Sequence, residues 1–320
     1  MRYFDSFEQV QLKHSWVAIG VFDGVHLGHQ QIIRGLVEKA KRVSEPSVIL
    51  TFHPHPLVVL HGCHTPIYLT TPQQRIDVLD RLGVDVVITQ PFTYQLAQQS
   101  AQAFLLQLNQ HLYMRQLWAG YDFALGKNRE ADVQVLSQMS ATIGYTFQKI
   151  VPVELDGKVI SSSGIRALLQ NGDVEQAADW LRRPFQVDGL VISGDRRGSS
   201  IGIPTANVQC MSLMVMPKNG VYICEVEVEH QWYPTVTNIG FRPTFNGANA
   251  GEPVLEAHLL DFNQDIYGKN VRVNFLRRLR EELIFSTAQD LLAQIQIDIQ
   301  MTRLYFAKQT ASKLYKCEVL

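Results

Sequence analysis

The segment Gly20-Val21-Phe22-Asp23-Gly24-Val25-His26-Leu27-Gly28-His29 sets two imidazoles three residues apart with a glycine between them, after an apolar run and before a helical pattern. Glycines at such a junction let the backbone approach a phosphate closely, and the N-terminus of the following helix offers unpaired N–H groups to an anion. Two imidazole donors aimed at the α-phosphate of a nucleotide stabilise charge as pyrophosphate leaves. The competing reading is a pair of helix-start histidines that only cap backbone groups. Six of the ten histidines, His26, His29, His53, His55, His61 and His64, fall in this early stretch. His53, His55, His61 and His64, with Cys63, raise a zinc site as a further alternative, since imidazole and thiolate are the usual ligands of zinc. His61-Gly62-Cys63-His64, however, lacks paired CxxC or HxxxH spacing, and no second cluster completes it.

Further polar groups stand where a nucleotide or its partner would need them. Ser162 and Ser163 precede a helical pattern with Ile165, Leu168 and Leu169 on its apolar face. Either hydroxyl suits an N-cap, while Arg166, one turn in, suits phosphate oxygens. Asp122, at the end of a predicted strand, reads either as an acceptor for a substrate hydroxyl or as a turn-forming residue. The run from Gly189 to Asn207 holds Gly194, Gly198 and the adjacent Arg196 and Arg197. A loop of this kind suits a triphosphate, and Thr205 and Asn207 offer neutral oxygen ligands for Mg²⁺. The alternative is a loop whose glycines only permit tight turns.

The elements that must position these residues follow from periodicity. Trp16 to Ile19, Ser47 to Thr51, Val84 to Thr89, a run near Leu117 and Phe147 to Val153 read as strands. Between them, Gln31 to Arg42, Pro72 to Leu82, Ala101 to Leu112 and Ala131 to Ile143 read as amphipathic helices. Such alternation implies parallel pairing with helices on both faces. Past Arg182-Arg183-Pro184 come short β-type runs at Val187 to Val191, Val221 to Val228, Trp232 to Asn238, Val254 to Leu260 and Val271 to Phe275, separated by Gly, Pro and Asn turns, and then a helix from Thr287 to Lys308. That texture predicts an antiparallel barrel or sandwich. The expectation is therefore a doubly wound parallel-sheet α/β domain over residues 1–183 and an antiparallel β-barrel domain with a C-terminal helix over 184–320.

The first segment resembles the HxGH motif of the nucleotidylyltransferase superfamily, and its full length is similar to the form found in bacterial FAD synthetases. Thr51-Phe52-His53-Pro54-His55-Pro56, Gly120-Tyr121-Asp122-Phe123-Ala124-Leu125-Gly126 and Ile160-Ser161-Ser162-Ser163-Gly164-Ile165-Arg166 fit that family in order. Pro204-Thr205-Ala206-Asn207 resembles the riboflavin kinase signature. After it, in family order, come Asn219-Gly220-Val221-Tyr222, Asn238-Ile239-Gly240-Phe241-Arg242-Pro243-Thr244-Phe245, the segment from Glu256 to Phe262, Asp265-Ile266-Tyr267-Gly268-Lys269 and the segment from Arg280 to Phe285. From about residue 17 to the last helix the chain thus resembles the bifunctional bacterial riboflavin kinase/FAD synthetase family.

The resemblance implies phosphorylation of riboflavin to FMN by ATP in the C-terminal domain, then adenylylation of FMN to FAD in the N-terminal domain. It marks Glu256 as general base, His26 and His29 as electrophilic stabilisers, and Phe22, Gly24, Ser162, Ser163 and Arg166 as further contacts of the adenylyl-donating ATP. His55 and Asp122 are assigned to flavin in the first domain, and Arg280 and Glu282 to flavin in the second. Gly194, Gly198, Thr205 and Asn207 are assigned to ATP and Mg²⁺ in the kinase. Glu256 also reads as an outward strand residue, since Leu255, Ala257 and Leu259 alternate with it. Where the family has Gly-Arg-x-Leu-Gly-Phe, this chain has Gly198-Ser199-Ser200-Ile201-Gly202-Ile203. Ser199 for arginine implies either weaker kinase turnover or replacement by Arg196 or Arg197, and keeps open a flavin-binding regulator that has lost turnover. A different nucleotidylyltransferase whose β domain only binds substrate is the other alternative.

Composition bounds these readings. The 320 residues carry 29 Lys+Arg against 30 Asp+Glu, a net charge of -1. The balance is 16 basic to 16 acidic through Arg183 and 13 to 14 beyond it, so neither half presents bulk charge to a polyanion. No run reaches the roughly 18 apolar residues of a membrane helix. Cys63, Cys210, Cys224 and Cys317 lack the spacing of a disulfide scaffold and read as thiols in a reducing compartment. The expectation is a cytoplasmic monomer or weak homo-oligomer that meets ATP and flavins, with no nucleic acid or membrane partner.

Overall fold

The computed structural model describes residues 1–194, 202–241 and 253–317. Gly198, Arg196, Arg197 and Ser199 lie outside the described residues. In chain order the first part comprises β1 (Arg2–Phe4), β2 (Ser15–Ile19), α1 (Leu27–Arg42), β3 (Ser47–His53), α2 (Pro56–His61), α3 (Pro72–Arg81), β4 (Val86–Pro91), α4 (Tyr94–Ala97), α5 (Ala101–Leu112) and β5 (Met114–Gly120). It continues through β6 (Ala124–Leu125), β7 (Ala131–Asp132), α6 (Val133–Ile143), β8 (Thr146–Ile150), β9 (Glu154–Leu155), β10 (Lys158–Val159), α7 (Ser162–Asn171) and α8 (Val174–Leu181). The rest is β11 (Phe185–Ile192), β12 (Ala206–Cys210), β13 (Gly220–Val228), β14 (Gln231–Phe241), β15 (Pro253–Leu259), β16 (Asn270–Arg280) and α9 (Ala288–Cys317). The chain divides into two compact units, Met1–Gly164 and Ile165–Leu320.

The first unit is built on a six-stranded sheet of order β1-β4-β3-β2-β5-β8, every pair parallel. Its central strands are apolar on both faces, which is why they read as unbroken runs. Val17, Leu50 and Leu117 pack on one face with α5 residues Phe104 and Leu108, and Ala18, Ile49 and Val87 on the other with Ile33 and Leu36 of α1. Helix α1 forms because Ile32, Ile33, Leu36 and Ala40 bury one stripe, His26 caps its start, and Lys39, Lys41 and Arg42 complement its C-terminal dipole. Helix α3 opens with Pro72 and a reciprocal Thr71–Gln74 capping box. In the strand order, β3 and β4 lie to one side of β2, and β5 and β8 to the other. An open α/β sheet binds its ligand at such a reversal, outside the carboxyl ends of the strands.

Two details depart from the periodicity. The β1 strand pairs with β4 although its three residues carry no strand signal of their own. The α6 helix starts at Val133, because Asp132 caps it and Ala131 pairs with Leu125 in a short ladder.

The second unit is a closed antiparallel barrel of order β11-β12-β15-β14-β13-β16, sealed by β11 against β16. Val187, Val208, Tyr222, Leu255, Val273 and Phe275 fill it. Alternation along β13 buries Cys224, Val226 and Val228 and leaves Glu225 and Glu227 partly wet. Arg280 clasps Asp298 of α9 through Nε (3.1 Å) and Nη2 (2.7 Å), so a buried carboxylate on the helix is met by a strand guanidinium.

Candidate active sites

The HxGH segment follows β2 at the reversal of strand order. Phe22 (φ 50), Gly24 (φ 79) and Val25 (φ 39) all lie in the left-handed region, which a β-branched valine enters only under constraint. The constraint is the buried Asp23. Its Oδ1 accepts the N–H groups of Leu69 (3.0 Å) and Thr70 (3.1 Å), and its carbonyl accepts the Ser162 hydroxyl (2.9 Å). The Gly24 N–H donates to Thr70 Oγ1 at 3.1 Å, so that donor is occupied within the protein.

This twisted turn delivers His26 to the N-cap of α1, where Nδ1 accepts the His29 N–H at 3.4 Å. An accepting Nδ1 places the ring proton on Nε2. The two imidazoles then stack, with centroids 3.7 Å apart and planes at 18°. Gly28 suits this stacking, because a Cβ there would stand 3.1 Å from Cε1 of the His26 ring and the ring would have to give by a few tenths of an ångström. Phe22 packs edge-on against His29 at 5.2 Å. The His29 Nδ1 is enclosed, with no hydrogen-bond partner among the described residues. Burial, with His26 and Arg75 adding to it, holds the His29 pKa well below 6.5, so this imidazole is neutral at pH 7.

Of the remaining expected residues, His55 follows β3 and Asp122 follows β5, at the carboxyl end of the sheet. Ser162 fastens the loop as described, whereas Ser161, not Ser162 or Ser163, caps the helix by accepting the Gly164 N–H at 3.1 Å. Ser163 is exposed, and Arg166 is partly buried one turn along α7. His55 caps α2 through the Leu57 N–H (3.2 Å), donates its own N–H to Tyr68 (3.0 Å) and sits beyond the end of β3. Asp122 follows β5 with its side chain exposed and its carbonyl accepting from Arg129 at 2.8 Å. Phe22, Gly24, His26 and His29 thus lie on one turn and the first turn of α1, and Ser162 of α7 is hydrogen-bonded to that turn at Asp23.

In the barrel, Asn207, Glu256 and Asn238 occupy one cross-strand row on β12, β15 and β14. Leu255 and Ala257 turn inward, and Glu256 is half-buried on the opposite face, beside these two amides. Asn207 is 6% exposed, and its Oδ1 is enclosed without a hydrogen-bond partner among the described residues. A Cβ on Gly194 would stand 2.6 Å from Asn207 Cγ, so the bare backbone of Gly194 lies against this amide. Thr205 is partly buried two residues earlier. An enclosed, uncompensated amide oxygen, with a threonine two residues earlier in the chain, is the donor chemistry of a hard cation that takes oxygen ligands. Glu282 Oε1 lies against the backbone of Gly240 on β14, two residues from Asn238, and Glu282 Oε2 accepts from Asn219 Nδ2 at 3.5 Å. Arg280 points to Asp298 instead of into this row.

Comparison with known proteins now bears on both sites. The FAD synthetase family model matches residues 8–164, and the riboflavin kinase family model matches residues 181–306. Over 295 residues, covering 92% of this chain and 93% of the relative, the sequence is 37% identical to the bifunctional riboflavin kinase/FMN adenylyltransferase of Bacillus subtilis. The protein of the same description in Haemophilus influenzae is 37% identical over 292 residues, 91% of this chain and 94% of the relative. The chain belongs to the bifunctional riboflavin kinase/FMN adenylyltransferase family.

A solved structure described as a macrolide-efflux protein from Streptococcus pneumoniae has the same fold as this riboflavin kinase/FMN adenylyltransferase family member, with a TM-score of 0.84 at 30% identity over 94% of this chain and 98% of that one. No helix among the described residues here is long and apolar enough to cross a membrane. The zinc alternative finds no geometry either: among the described residues no three His, Cys, Asp or Glu side chains are placed to hold a metal. His61 ends α2 and Cys63 Sγ lies 3.2 Å from Thr65 Oγ1. Sequence reasoning missed Asp23 and Arg75 as site residues. Asp23 stands inside the quoted motif, but a lone arginine within a helical pattern gives Arg75 no signal.

Proposed function

We propose that the two activities of the family are divided between the two halves of this chain, with FMN adenylylation in residues 1–183 and riboflavin phosphorylation in residues 184–320. The observation that carries the reading is the stacked His26–His29 pair, with His29 neutral, at the start of α1 and at the reversal of strand order. In the first half, the FMN phosphate displaces pyrophosphate from the α-phosphorus of ATP. His26 Nε2–H and the neutral His29 imidazole donate to the oxygens on which charge develops, so the step needs no covalent intermediate and no proton transfer from either ring. Ser162, Ser163 and Arg166 serve the distal phosphates, and His55 and Asp122 the flavin.

In the barrel, Glu256 accepts the proton of the ribityl 5'-hydroxyl as the γ-phosphoryl group of a second ATP is transferred. Thr205 and Asn207 would hold Mg²⁺, which supplies charge neutralisation on the phosphates. Gly194 and Gly198 let the loop approach the nucleotide, and Glu282 stands at the flavin side of the row. Arg280 acts through Asp298 and α9. The substrates and products are ATP, riboflavin, FMN and FAD.

Glu256→Gln should lower FMN formation by about 10²–10⁴-fold, the span of a lost general base, and leave adenylylation of supplied FMN intact. His29→Ala should do the reverse. Resolving the flavins after incubation with ATP and Mg²⁺ separates the two activities. Loss of both activities from one substitution in a folded protein would refute the division.

A further inference from the structure

Beneath the HxGH loop lies a charge that neither half-reaction as described uses. Arg75 of α3 is 1% exposed, the largest fully buried side chain among the described residues. Its Nη1 donates to Thr51 Oγ1 at 2.8 Å and to the Phe52 carbonyl at 3.3 Å, at the carboxyl end of β3. Thr51 Oγ1 in turn donates to the Val21 carbonyl at 2.7 Å. Arg75 Nη2 stands 4.0 Å from Asp23 Oδ1. One guanidinium thus holds the loop on both sides of Phe22, at Val21 through Thr51 and at Asp23 directly.

The arrangement is a poor device for stability. The Arg75–Asp23 approach is long, and Arg75 Nε is buried with no hydrogen-bond partner among the described residues. An ion pair left in this state is generally no better than apolar residues of the same volume. It does fit the needs of the loop, where Phe22 and Val25 are in backbone conformations they would not adopt alone.

We propose that Arg75 is a positioning residue for adenylyl transfer: through Thr51 and Asp23 it fixes the turn that presents His26 and His29, and its buried charge acts on the His29 ring. Among the described residues, the charged and titratable groups that act on His29 are His26 on its own element and Arg75 from α3, and Arg75 is itself acted on by Asp23 and Tyr68 and acts on His53. Its charge adds to burial in keeping His29 neutral.

The proposal rests on the adenylyltransferase reading of this loop, and the test separates the two. Arg75→Met and Arg75→Lys are prepared in the full chain. Each is assayed for FAD formation from FMN, for FMN formation from riboflavin, and for His29 titration by NMR without substrates. Arg75→Met is expected to lower kcat for FAD formation by about 10–100-fold, with KM for ATP and riboflavin phosphorylation within about twofold of wild type, because a misplaced donor costs the transition state more than the ground state. The His29 titration should move up by part of its depression, because burial and His26, the larger causes, stay in place. Arg75→Lys, which keeps the charge but not the fork, should retain the low His29 titration and recover part of kcat.

A purely structural role would lower thermal stability without moving the His29 titration. That outcome, or unchanged kcat in Arg75→Met, overturns the proposal. If Arg75→Met does not fold, Thr51→Val removes the hydroxyl bridge alone, and unchanged kcat there overturns it equally. Wild-type protein that forms no FAD refutes the adenylyltransferase reading instead, and the His29 titrations then still decide whether the Arg75 charge acts on this ring.

Discussion

Replacing Gly194 by alanine tests the kinase row at a single atom. The added methyl carbon would lie 2.6 Å from Asn207 Cγ and 2.9 Å from Asn207 Oδ1. Carbon–carbon contacts settle at roughly 3.5–4.0 Å, so the overlap is about 1 Å. The Asn207 backbone cannot retreat, because it is paired with Ile192 of β11 on one side and Glu256 of β15 on the other. The amide must therefore leave its rotamer, or the start of β12 must open. Overpacking of this kind costs about 1–3 kcal/mol, and if that cost falls on the state that holds ATP and the cation, the specificity constant drops by about 5–150-fold. The assay is steady-state FMN formation from riboflavin, set beside FAD formation from supplied FMN by the same preparation. The first should fall by that factor while the second stays within about twofold. Unchanged FMN formation would refute the placement of Asn207 as a ligand held by a bare glycine loop.

Two further outcomes follow from burial and charge. Asp298→Ala strands the Arg280 guanidinium beneath α9. It should destabilise the second unit by about 2–4 kcal/mol, below the full figure for a buried pair because Arg280 keeps some contact with water. Denaturant unfolding followed by circular dichroism measures it, and a loss under about 1 kcal/mol would show that the pair does not secure the helix. The depressed titration of His29 makes stability depend on pH. The unfolded chain takes up a proton near the ordinary value of 6.5, and the folded chain does so only well below it. The contribution is thus fully present above 6.5 and is lost as pH falls through and below that value. Between about pH 7.5 and 5.5 wild type should lose more stability than His29→Ala, and equal losses would refute a buried neutral imidazole.

Much of this molecule was legible in the sequence because local chemistry and global fold agree. The apolar runs of β2, β3 and β5 mark strands buried on both faces, and the break at Arg182-Arg183-Pro184 stands between α8 and β11. The spacing of His26 and His29 marks a candidate pair, with helix capping as the competing reading until the other motifs join it, and Gly28 between them suits the stacked rings. Asn207 and Glu256 were readable as residue types, yet nothing linear says that they face one another. That row exists because β12, β15 and β14 pair out of sequence order in a closed barrel.

Tertiary structure also decided which hydroxyl caps α7, because Ser161 accepts the Gly164 N–H while Ser162 is turned to the Asp23 carbonyl. It turned Arg280 toward Asp298, a partner on a helix that no strand motif anticipates. Above all it decided Arg75, whose significance comes from the carboxyl end of β3 and the turn after β2. A sequence specifies spacing along the chain, so it reveals groups that act within one turn or one strand. Groups that act across a sheet or a barrel acquire their role only when folding removes water from between them and fixes their separation.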